Sequence, residues 1–78
     1  MTLRTRDDNT PMMDALIDVY VEWREECLAV HSAYERWRGA PRDESAAAFA
    51  AYSAALDREE RAGDVYAAVV RRASTAAA

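Results

Sequence analysis

The stretch ERWRGAP, residues 35–41, places a Trp, a Gly and a Pro within five residues. Residues 12–38 before it contain neither Gly nor Pro, and none appears again until Gly63. Gly39 can end a helix in the left-handed C′ conformation, and Pro41 cannot continue one. The stretch therefore reads as a bend between two long helices. Upstream, Met13, Leu16, Tyr20, Trp23, Cys27, Val30, Tyr34 and Trp37 alternate at spacings of three and four without a break. That is a heptad seam. Thr10 can cap the helix start and Pro11 suits its first position. The pattern predicts a helix over about 11–38.

Downstream, ESAAAFAAYSAALDREER (residues 44–61) is strongly helix-favouring, and a second helix is predicted over about 43–73. Its seam runs through Phe49, Tyr52 or Ser53, Leu56, Glu59 or Glu60, Gly63, Tyr66 or Ala67, and Val70. Gly63 costs about 1 kcal/mol relative to Ala inside a helix, so a kink there is an open alternative. Residues 1–9 and 74–78 are expected to be disordered tails.

The predicted fold is all-α, an antiparallel two-helix hairpin dimerising into a four-helix bundle. With a turn centred near Pro41, Trp37 would lie near Ser45 and Tyr34 near Phe49. Cys27 would lie near Leu56, Tyr20 near Gly63 and Met13 near Val70. Rings on one helix would then meet Ala and Gly on the other. Gly63 would make room for Tyr20, and Glu59 or Glu60 would accept the Trp23 indole N–H. The acidic row Asp14, Asp18, Glu22 and Glu26 would pair with Arg58, Arg61 and Arg71 or Arg72. Ile17, Val21 and Leu28, with Val65 and Val69, lie outside the seam. An apolar arc that wide calls for more than one packing neighbour. These five residues are the predicted interface of a homodimer or of a heterodimer with a related hairpin.

Composition narrows the function. The chain has 78 residues and a formal net charge of −4, which argues against nucleic-acid binding. No apolar run approaches membrane-spanning length. All ten basic residues are Arg and Ala is abundant, which reads as the codon bias of a GC-rich bacterial genome. Cys27 is the sole cysteine and MTLRTRDDNT (residues 1–10) lacks a signal peptide's apolar region, so a cytoplasmic location is expected. No Ser or Cys nucleophile has an evident His and acid partner, and no Gly-rich phosphate loop appears. The expectation is a non-enzymatic interaction or adaptor protein with no cofactor. Cys27 and His31, four apart on one helix face, could present Cys₂His₂ to zinc across a dimer. A buried Cys as a small hydrophobe is the reading adopted, with no metal assigned.

Trp37, Arg38 and Gly39 at the bend, between a heptad helix and an Ala-rich one, resemble the Trp-x-Gly family of type VII secretion substrates. The resemblance covers the architecture of nearly the whole chain and a three-residue motif. It implies pairing into four-helix bundles and export without a cleaved signal peptide. That family's Tyr-x-x-x-Asp/Glu export signal is not matched, since Tyr66 is followed by Val70 and Tyr52 by Leu56. The adopted reading of Trp37 and Gly39 is a turn that caps the hairpin.

Overall fold

A computed structural model of the chain describes residues 10–77. Helix α1 spans Thr10–Arg38, a single 3₁₀ turn spans Arg42–Glu44, and α2 spans Ser45–Ala77. The helices pack antiparallel along their length, joined by the short connection that ERWRGAP anticipates. The expected N-terminal tail lies outside the described residues. At the other end, residues 74–77 continue α2 instead of forming a tail. The run is rich in Ala, the best helix former, and the Thr75 hydroxyl donates to the Arg71 carbonyl one turn back at 3.0 Å. Helix α2 also runs unbroken through Gly63.

The bend differs in detail from a glycine cap. Neither glycine has a positive φ. The Gly39 N–H still donates to Glu35 O at 3.1 Å, and the Ala40 N–H donates to Trp37 O at 3.2 Å. The helix therefore tightens through its last turn until Pro41, which is extended and has no N–H to give. Pro41 then accepts from the Glu44 N–H at 2.9 Å and opens the 3₁₀ turn that leads into α2.

Two aromatic clusters hold the helices together. Near the bend, Trp37 stacks on Tyr52 (centroids 5.4 Å apart) and tilts onto Phe49 (4.9 Å), and Tyr34 meets Tyr52. Toward the open end, Trp23 stacks on Tyr66 at 5.4 Å and 9°, with Tyr20 against both rings. Such ring pairs contribute about 0.5–1.5 kcal/mol each beyond their burial.

These contacts place the register about one turn further along α2 than the sequence suggested. Trp37 meets Phe49 and Tyr52 instead of Ser45, Tyr34 meets Tyr52 instead of Phe49, and Tyr20 meets Tyr66 instead of Gly63. The 3₁₀ turn accounts for the shift. It occupies residues that the sequence reading gave to the second helix, so the facing positions start later.

The ring over Gly63 is consequently Trp23. A Cβ on Gly63 would sit 3.3 Å from Trp23 Nε1 and 3.5 Å from its Cδ1. A Cβ on Gly39 would meet only the Glu35 carbonyl oxygen, at an ordinary 3.7 Å. Gly39→Ala should therefore stabilise by about 0.4–1 kcal/mol through the unfolded chain. At Gly63 the crowded indole offsets the helix-propensity gain of about 1 kcal/mol. Thermal unfolding should place Gly63→Ala at or below wild type and Gly39→Ala above it. Equal stabilisation of both would show that the indole yields freely.

Candidate functional site, an uncovered apolar face

Among the described residues only Ala33 (6% exposed) and Ala55 (1%) are buried. Met13, Ile17, Tyr20, Val21, Leu28, Tyr34, Phe49, Leu56 and Val65 are all exposed. Two helices form a single layer, and a single layer can cover only the strip where they touch.

The exposed residues are ordered by the helix period. On α1 the strip facing α2 follows Leu16, Trp23, Val30 and Trp37, and on α2 it follows Tyr52, Glu59 and Tyr66. Residues four places after these positions lie on one flank, and residues three places after lie on the other. Both helices are right-handed and they run antiparallel, so their four-after flanks share one broad side of the hairpin. That side carries Met13, Tyr20, Cys27 and Tyr34 from α1 and Phe49, Leu56, Gly63 and Val70 from α2, each series at seven-residue intervals. Its five large side chains Met13, Tyr20, Tyr34, Phe49 and Leu56 remain 38–52% exposed.

The opposite side is closed by small residues, Ala33 and Ala55 among them, and by an ion pair. Arg58 Nε donates to Glu26 Oε1 at 3.3 Å, the one interhelical ion pair among the described residues. At this exposure it stabilises by about 0–1 kcal/mol. Asp14, Asp18 and Glu22 do not join it. A row of residues four apart advances about 40° per step around a helix, so the acidic row winds away from α2.

The predicted interface residues do not share a face. Ile17, Val21 and Leu28 lie on the outer edge of α1, and Leu28 is the most exposed of the large apolar residues among those described, at 63%. Val65 is seven places after Arg58 and so lies on the closed side, with half-buried Val69 beside it. Sequence reading assigned Met13, Tyr20, Tyr34, Phe49 and Leu56 to the intramolecular seam. The signal that separates them was present: α1 carries two adjacent heptad columns, and one partner helix covers one column.

Among the described residues, the polar anchor in the strip between the helices is Glu59. Its Oε2 accepts the Trp23 indole N–H at 2.8 Å, as expected, and lies 4.0 Å from Cys27 Sγ. Cys27 is half-buried and His31 exposed. Among the described residues, no three His, Cys, Asp or Glu side chains converge as a metal site would require. A shallow depression at the bend is floored by Gly39, Ala40, Ala47 and Ala51, with Arg36 and Glu44 at its margin. Its lining offers no nucleophile with a matching base. No described helix is long and apolar enough to cross a membrane.

Comparison with protein-family models, curated proteins and solved structures finds no match to this chain. The likeness to Trp-x-Gly proteins thus rests on the two-helix architecture.

Glu59→Ala should cost about 1–3 kcal/mol, because the half-buried indole N–H loses its acceptor. Glu59→Gln keeps an acceptor oxygen and should cost less than 1 kcal/mol. Denaturant unfolding checks both, and equal losses would mean that the hydrogen bond contributes nothing specific.

Proposed function

We propose that this chain is a small non-enzymatic interaction module, an adaptor that works by pairing its hairpin with another helical surface inside the cell. The observation that carries this reading is the apolar side of Met13, Tyr20, Tyr34, Phe49 and Leu56, left open by a hairpin whose buried residues, among those described, are two alanines. Contiguous exposed apolar patches mark interaction sites. Four-helix bundles are the usual way for hairpins to cover such surfaces, with a second hairpin as partner.

The test is thermal unfolding across a wide concentration range, with an environment-sensitive apolar dye as second readout. A module that completes its fold by association gains stability with concentration and loses dye binding as it does so. A monomer with a sharp, concentration-independent transition and no dye binding would overturn the proposal.

Export as a type VII-like hairpin is the second reading. It is favoured by the structural use of the bend, where Trp37 packs on Tyr52 and Phe49 directly before Gly39. Appearance of the chain in culture filtrate, dependent on that secretion machinery, would support it. Retention in the cytoplasm with the machinery intact would sink it.

A further inference from the structure

Building on the interaction-module reading, we propose that the partner on this side is a second copy of the chain. The two hairpins lie face to face about a two-fold axis parallel to the helices, with both bends at the same end and α1 of each against α2 of the other.

Area and charge lead to this arrangement. Helix α1, 29 residues long, extends about 43 Å, and two helices side by side present a face roughly 20 Å wide. Covering that face buries on the order of 800 Å² per partner, the size of a standard stable interface. The face also has edges of opposite sign. Along the α1 edge, Ile17, Arg24, His31 and Arg38 recur every seven residues. Two acidic residues lie in the adjacent column, Asp14 toward the open end and Glu35, which is already within 3.7 Å of Arg38. Along the α2 edge runs Glu60, with Asp57 and Asp64 just behind it and Arg71 beyond, toward the open end. All of these edge charges are exposed.

Two symmetric dimers can cover the face. With the axis across the helices, α2 meets α2, and Asp57, Glu60 and Asp64 confront their own copies. With the axis along the helices, each α1 edge meets the partner's α2 edge at the same level. The Trp23–Gly63 contact sets that level and places Arg24 between Glu60 and Asp64 of the second copy. The same opposition repeats at the symmetric position, so the charges select one dimer. Cys27 lies mid-face, where a small side chain lets the layers approach closely.

The experiment combines mass, charge exchange and distance. Native mass spectrometry of the full chain should give a metal-free species of twice 8.7 kDa. Leu56→Glu should dissociate it, whereas Val65→Glu on the closed side should not. Arg24→Glu should weaken the dimer roughly tenfold, and Arg24→Glu with Glu60→Arg should restore it to within about threefold. This exchange keeps the test decisive should Leu56→Glu fail to fold. A nitroxide on Asp43→Cys in a Cys27→Ala background should report a separation on the order of 20 Å, against about 40 Å or more for bends at opposite ends. The longer distance, or a double exchange that fails to rescue, would overturn this arrangement. A monomer that binds the apolar dye would overturn the second copy while leaving the interaction-module reading standing with a different partner.

Discussion

The fit of the Trp23 indole against Gly63 is the constraint on which the hairpin's register depends. The ring is held from three directions: Tyr66 stacks on its face, Glu59 takes its N–H, and the bare backbone at Gly63 lets it approach. A slip of one turn toward the register first expected would keep Glu59 or Glu60 near the indole donor but put a side chain in place of the bare backbone under the ring. Hydrophobic contact alone does not discriminate registers this sharply, because α2 offers alanines at many levels. Direction comes from the hydrogen bond and shape from the glycine. The second cluster, Trp37 on Tyr52 and Phe49, anchors the bend end so that the two helices are clamped at separated points.

Much of this was legible in the sequence. The unbroken three-four spacing through α1, and a break containing Gly39 and Pro41, specify two helices and their antiparallel return. The Trp23 donor and a carboxylate at Glu59 or Glu60 were also readable as partners. The register was not, because it depends on how many residues the connection consumes. The ERWRGAP bend closes without a left-handed glycine, and the 3₁₀ turn after Pro41 uses up two positions, Asp43 and Glu44, that helix propensity had assigned to α2. Nothing local to RDE separates a first helical turn from a 3₁₀ turn.

The candidate surface was legible only in part, for a geometric reason. Periodicity reports that a residue is near an apolar stripe, not how many neighbours the stripe has. Tyr20 and Tyr34 belong to the seam by spacing, and both do touch rings on α2, yet each keeps more than a third of its surface exposed. Ile17, Val21 and Leu28 stood out because they depart from the seam. The broader face was hidden because its members also serve the intramolecular contact. Residues with this double service are easily counted once, and a covering layer is then assigned to other residues, here Ile17, Val21, Leu28, Val65 and Val69.

Burial confined, among the described residues, to Ala33 and Ala55 has a consequence, on the proposed association, for how much of the protein would be active at a given moment. If the open face is covered by a partner as proposed, part of the free energy that offsets the ordering of some sixty helical residues comes from association, beyond what the half-buried rings contribute. For such a chain, synthesis rate becomes a structural variable. On that proposal, newly made copies at low abundance would stay more open to proteolysis, and the folded pool would grow faster than in proportion to total chain, because two partners would have to meet. Expression level would then behave as a threshold rather than a dial.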